Sequence, residues 1–149
     1  MNRIKQAFQN RTEKVIPYLV AGFPQKKDTL NMVLAAEKGG AAMVELGIPF
    51  SDPLADGPII QASALRALKS GTTLKKILSL VKEIRNARDL PIVLMTSFNP
   101  IFVYGEKKFV EDAVSVGVDG VIVPDLPPEE STKLSACAQE KGLDVIHLL

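Results

Sequence analysis

Three carboxylates and a serine crowd one short stretch, ELGIPFSDPLADG (45–57). The apolar run Ala41–Val44 before it reads as a buried strand, and the run ends on Glu45. Burying a carboxylate costs several kcal/mol unless it is paired or protonated. Glu45 is therefore either a satisfied structural acid or a general acid/base whose pKa the apolar strand end raises toward neutrality. Strand alternation puts Met43, Glu45 and Gly47 on one face, opposite Val44 and Leu46. Asp56 sits in Ala-Asp-Gly-Pro, which is good turn chemistry, so it is either a turn former or an anion set in a loop for use. Asp52, in Ser-Asp-Pro, reads as an Asx-type turn that shapes the loop, and Asn99-Pro100 reads the same way.

Those residues need elements to carry them. All-apolar strands are expected at Val15–Val20, Ala42–Leu46, Ile92–Thr96, Gly120–Val123 and Asp144–Leu149, each buried on both faces. Helical patterns fall between them near Asp28–Lys38, Ile60–Lys69, Thr73–Arg88, Glu106–Val116 and Glu129–Lys141. Gly39, Gly117 and Gly142 stand where left-handed helix caps are wanted, and Asp28 and Thr72 or Thr73 are candidate N-caps. Ile4 and Phe8, four residues apart, suggest a small amphipathic helix within 1–11 packed on the body. A weak repeat, KGGAAMVE (38–45) against SVGVDGVI (115–122), is the trace of successive βα units with right-handed crossovers. In a parallel barrel, functional groups gather at the C-terminal ends of the strands. Glu45, Asp52, Asp56, the Ser97-Phe-Asn99 segment and Asp125 all fall at such ends.

Two architectures satisfy this pattern: an open doubly wound sheet of five strands, or a (β/α)8 barrel cut short, since such barrels typically run to about 250 residues. No GxGxxG follows the first strand, which weakens a dinucleotide-binding reading. The sequence stops on VIHLL (145–149), at a strand with no helix behind it, which suits the truncated barrel better.

Composition narrows the function classes. The chain has 149 residues, 46% hydrophobic and 23% charged, an ordinary balance for a globular domain. A net charge of +1 gives no case for nucleic acid or an anionic membrane, and no apolar run approaches the roughly 20 residues of a membrane span. One cysteine excludes an intrachain disulfide and fits a reducing compartment. The N-terminus lacks an apolar signal core. Cys137 reads as a small buried residue, and the single histidine, His147, excludes a histidine-rich metal site and a Ser-His-Asp triad. The lysine pairs 75–76 and 107–108 read as solvated helix surface.

Four separated stretches carry a resemblance. IPYLVAGFP (16–24), ELGIPFSDPLADGP (45–58), PIVLMTSFNPIFVYG (91–105) and GVDGVIVPDLPPEES (117–131) are similar, in order and spacing, to the tryptophan synthase α subunit family, from about residue 4 to the last residue. The resemblance implies the barrel: an α/β fold of the (β/α)8 class, here about its first five parallel strands, as one truncated domain over 1–149. It implies a cytoplasmic lyase of tryptophan biosynthesis that cleaves indole-3-glycerol phosphate to indole and glyceraldehyde 3-phosphate by a retro-aldol reaction. Glu45 would be the proton shuttle, and Asp56 would accept the indole N–H and stabilise the positive charge that grows there. Tyr18, Met95, Ile122 and Leu148 would enclose the indole, although barrel core is the simpler account of each. Ser97 belongs to that set as a departure, because the family usually carries a tyrosine there. Asp52, Pro53, Asp125 and Pro127 would lie on the loops facing a partner, a pyridoxal-phosphate β subunit in an α2β2 complex. The resemblance implies no cofactor and no metal on this chain. Two rival readings remain open: a truncated remnant that only binds a partner, and an unrelated flavodoxin-like binding domain.

Overall fold

Short aliphatic runs alternate with amphipathic ones, and each takes the element its period favours. The computed structural model describes residues 2–10, 14–52 and 56–148, with Asn10 described through its backbone alone. Along the chain it contains α1 (Arg3–Asn10), β1 (Tyr18–Val20), α2 (Lys26–Lys38), β2 (Val44–Gly47), α3 (Pro58–Lys69), α4 (Leu74–Arg85), β3 (Ile92–Met95), α5 (Phe98–Tyr104), α6 (Glu106–Val116), β4 (Gly120–Ile122), α7 (Thr132–Lys141) and β5 (Asp144–Ile146). All four strand pairings are parallel, and the spatial order is β1-β2-β3-β4-β5.

That order decides between the two architectures. A flavodoxin-like sheet reverses its strand order at a switch point and divides its helices between both faces. Here the order never reverses, and one helix of every crossover (α2, α4, α6 and α7) packs on the same face. Val33 of α2, Ile77 and Val81 of α4, Phe109 and Val110 of α6, and Leu134 and Ala138 of α7 form one core with Val44, Leu46, Ile92, Leu94 and Val121. The opposite face carries Met43, Val93, Met95, Ile122 and Ile146, covered by Ile4 and Ala7 of α1. Right-handed crossovers that all fall on one side curl the strands into a barrel wall. The flavodoxin-like alternative is thereby overturned.

Several boundaries depart from the sequence reading. The strand expected over Val15–Val20 shortens to Tyr18–Val20, although Val15 and Pro17 still accept hydrogen bonds from Ala42 N and Glu45 N. Asp28 is not an N-cap: α2 begins at Lys26, and Asp28 occupies its first turn, where a carboxylate still complements the helix dipole. Thr73 does cap α4, accepting from Lys76 N at 3.3 Å. Gly39 keeps a right-handed conformation, and Gly40 takes the positive φ instead, because α2 winds through Gly39 N to Ala35 O. Gly117 and Gly142 are left-handed caps as expected. In α1, Ile4 and Ala7 face inward while Phe8 is 46% exposed, so the buried pair is spaced by three residues rather than four. Asn99-Pro100 is no isolated turn. It lies in the first turn of α5, a helix that the turn reading of Asn99-Pro100 did not anticipate, since proline is tolerated in a first turn.

Away from the strand C-terminal ends, Asp119 ties the layers together. Its Oδ2 accepts from Arg85 Nη2 at 2.5 Å and from Ile92 N at 2.8 Å, and its Oδ1 accepts from Arg3 Nη1 at 2.9 Å. Arg85 also donates to Gly117 O and Leu90 O. The side chains of Asp119 and Arg85 are only 7% and 9% exposed. Removing one partner of such a pair strands the other without compensation. Asp119→Ala is therefore expected to lower unfolding free energy by about 3–5 kcal/mol. Glu83→Ala, which breaks the half-exposed ion pair with Lys26, should cost about 1 kcal/mol or less. Urea melts of the two variants check this, and equal losses would refute the role given to Asp119.

Candidate active site

Parallel register builds the site in layers. Tyr18, Glu45, Val93 and Gly120 are successive register partners, and Val20, Gly47, Met95 and Ile122 form the next layer toward the strand C-termini. All eight positions share the inner face, because alternation fixes it once Val93 and Ile122 are placed there. Glu45 thus projects to the inner side, as parity predicted.

A cleft of about 390 Å³ opens above these strand ends. Tyr18, Met95, Ser97, Asp56 and Asp125 all line it, beside apolar walls from Val20, Ile48 and Phe50. Asp56 lies just before α3, whose start at Pro58 uses the favourable first-turn position of proline. Gln61 Nε2 donates to the Asp56 carbonyl at 2.6 Å and so holds that backbone against the helix. Asp125 Oδ1 accepts from Phe98 N at 2.8 Å, which places a carboxylate on the first turn of α5 and ties the loop after β4 to the loop after β3. The expectation that these polar ends converge on one rim thus has a concrete geometry.

The remaining anticipated residues are dispersed. Ile122 is buried in the inner cluster with Met43 and Val93 and does not line the cleft. Leu148, expected beside the indole, is 60% exposed and also lies outside the cleft lining. It follows the last residue of β5, so no pairing fixes its direction. Asp52 is exposed, Pro53 lies outside the described residues, and Pro127 opens the turn before α7, its carbonyl accepting from Glu130 N and Ser131 N. His147 is exposed and borders a hollow with Ser135 and Gln139 of α7. Cys137 is half-buried against the outer core. Among the described residues no group of acids, histidines and cysteines is arranged to hold a metal ion, and no helix is long and apolar enough to cross a membrane.

Two polar residues of the site escaped the sequence reading: Thr96, which lines the cleft, and Gln61, which holds the Asp56 backbone beside it. Thr96 is buried, and among the described residues its Oγ1 is the buried side-chain polar atom that lacks a partner. A hydroxyl ending the apolar run of the third strand was the available signal. Gln61 had none, since a polar residue in a helix is unremarkable.

Electrostatics set Glu45 apart. It is half-buried, and burial alone raises its pKa above the ordinary carboxylate value. No described cation or hydrogen-bond donor offsets that burial. A carboxyl in this condition holds and releases a proton more readily near neutrality than an exposed one. The Tyr18 phenol is pushed up to about 12, first by burial and then by the charges of Asp56 and Glu45. It therefore remains a neutral donor at physiological pH.

Comparison with known proteins agrees with this geometry. The family model for the tryptophan synthase alpha chain matches residues 4–149. The alpha chain of Geotalea uraniireducens (strain Rf4) is 52% identical over all of this chain and 57% of its own length, and that of Geotalea daltonii is 48% identical over 58% of its length. The chain thus spans little more than half the length of these curated relatives. A crystal structure of the alpha subunit from Legionella pneumophila superposes with a TM-score of 0.97 at 40% identity, covering 100% of this chain and 59% of that one. The tryptophan synthase complex from Pyrococcus furiosus matches with a TM-score of 0.87 at 46% identity, over 91% of this chain and 56% of the matched chain. The five strands superpose on a (β/α)8 barrel and form an incomplete one.

The raised Glu45 pKa has a consequence for stability. A carboxyl with a folded-state pKa above its unfolded value favours folding at low pH, and that contribution is lost as pH rises through the folded pKa. Glu45→Gln removes the ionisation while keeping the shape. Relative to the Glu45→Gln variant, the parent chain should lose stability between the ordinary glutamate pKa and neutrality. Denaturant melts across that range measure the difference, and a difference that is flat or opposite in sign would show that Glu45 is not desolvated.

Proposed function

This chain belongs to the tryptophan synthase alpha chain family, and we propose that, within a barrel of its relatives' full length, it cleaves indole-3-glycerol phosphate to indole and glyceraldehyde 3-phosphate. The observation that carries the reading is Glu45: an uncompensated inner-face carboxyl with a raised pKa, one strand layer beneath a cleft that Asp56 lines. In this reading Glu45 takes the proton of the side-chain hydroxyl beside the breaking C–C bond and serves in protonating the indole carbon. Asp56 accepts the indole N–H, an anion placed in advance where positive charge develops. Met95, Ser97 and the Tyr18 ring border the space for the indole, while Ile122, the register partner of Met95, supports it from beside that wall. No cofactor enters this step.

No lysine or arginine is among the residues that line the cleft. We assign anchorage of the phosphate to the part of the barrel that the relatives possess and this chain does not span. Without that anchor, remote binding energy cannot align the reacting bond, so the 149-residue chain alone is expected to be inactive. The partner we propose is a tryptophan synthase β subunit, docked on the loops of Asp52, Pro53, Asp125 and Pro127. The matched Pyrococcus protein is itself described as an α2β2 complex. We place the reaction in the cytoplasm.

The test uses a version extended to the relatives' full length. Glu45→Gln should reduce turnover by at least about 100-fold with the fold retained, as removal of a general acid/base does. Asp56→Asn should also slow cleavage, with and without β subunit. Steady-state rates at the parent level for Glu45→Gln would eliminate the proton-shuttle role, and parent rates for Asp56→Asn in both conditions would leave Asp56 as a turn former.

A further inference from the structure

Tyr18 offers more than a ring. It is the register partner of Glu45 across β1 and β2, so both side chains rise from the inner face side by side. Its phenol lies across Gly47, where an added Cβ would overlap the hydroxyl. Gly47 follows Glu45 by two residues on the same face, so the hydroxyl is set toward the strand C-termini from the Glu45 carboxyl, on the side where the cleft opens. Asp56 lines that cleft with Tyr18. The hydroxyl forms no hydrogen bond with a described residue, and its two acidic neighbours, when ionised, offer only acceptors.

We propose that the Tyr18 hydroxyl binds the substrate directly, donating a hydrogen bond to the side-chain oxygen whose proton Glu45 removes. The proposal rests on the reading given under Proposed function and adds a contact to it. The substrate hydroxyl donates to Glu45 and accepts from Tyr18, so one oxygen is held from two strands. When the O–H proton passes to Glu45, the oxygen becomes the carbonyl of glyceraldehyde 3-phosphate. The C–C bond breaks, and its electron pair passes to the indole carbon, which takes a proton. Tyr18 keeps its own proton throughout, consistent with a phenol pKa pushed up to about 12. A neutral donor aimed at that oxygen stabilises negative charge that builds there as its proton leaves. Gly47 is what admits it, since any side chain at 47 would occupy the place of the phenol.

The experiment compares two ligands in the full-length version carrying Glu45→Gln, which holds substrate uncleaved. One ligand is indole-3-glycerol phosphate. The other is the same molecule with a propyl chain in place of the glycerol, so that it lacks the side-chain hydroxyls. Adding Tyr18→Phe should weaken the hydroxylated ligand about tenfold, the worth of one buried hydrogen bond. The propyl analogue should stay within about twofold, since the ring wall is retained, and its binding also certifies the fold. Equal losses for both ligands, or no loss for either, would overturn the proposal and leave the cleavage reading intact. Failure of the Glu45→Gln protein to bind either ligand would overturn both.

Discussion

Side chains alternate across a strand, and in five parallel strands held in register that alternation sorts the whole molecule. One set of residues meets the crossover helices and is almost wholly aliphatic. The other meets the inner space, and only there does the sequence place a carboxylate, a phenol and close-packed glycines. A shift of one residue in β2 would exchange Glu45 for Val44 or Leu46 and bury the acid against α4. The bonds that prevent this are backbone ones, from Glu45 N to Pro17 O on one side and from Val44 N to Pro91 O on the other. The chemistry is thus located by main-chain pairing before any side chain contributes.

The two ends of the strands do different work. At the C-terminal ends Asp56 and Ser97 are half-buried in the wall of a cleft, and Glu45 lies beneath it with its burial uncompensated. At the N-terminal end Asp119 is enclosed by two guanidinium groups and a backbone amide. Burial lowers the Arg85 pKa, and the Asp119 charge opposes that effect. An uncompensated acid at one rim is tolerable because the opposite rim is so thoroughly satisfied. This is the division expected of a parallel barrel, in which one face carries activity and the other stability.

Much of this was legible in the residues, and what was not has identifiable causes. The strands showed because both faces are covered, leaving aliphatic runs with no competing period. Glu45 showed because an acid ending such a run is conspicuous. The strand order could not be read, since a doubly wound sheet and a barrel arc share the same βα alternation, and only the shared helical face tells them apart. The start of α3 was missed by two residues, where Pro58 sits in its first turn, and α5, with Pro100 in its first turn, was missed altogether. Leu148 was placed by resemblance on a strand expected to reach Leu149, but β5 pairs only through Ile146, and nothing in the ladder orients a residue beyond it. The Gln61 hold on the Asp56 carbonyl and the Asp125 hold on α5 are contacts between loops, which leave no periodic trace.

The seating of α1 sets an order of events. Asn2 reaches Asp144, and Arg3 reaches Asp119, contacts that span 142 and 116 positions of sequence. Ile4 fits against the bare backbone of Gly120. On a ribosome the first helix made must therefore wait for its place, because its socket leaves the exit tunnel only when β4 and β5 do. Until then the polar anchors of α1 are missing, and Met43 and Val93 lack a fixed cover on the concave side. Contacts so distant in sequence are slow to close. A nascent chain of this kind carries its stopper from the start and seats it only once β4 and β5 have emerged.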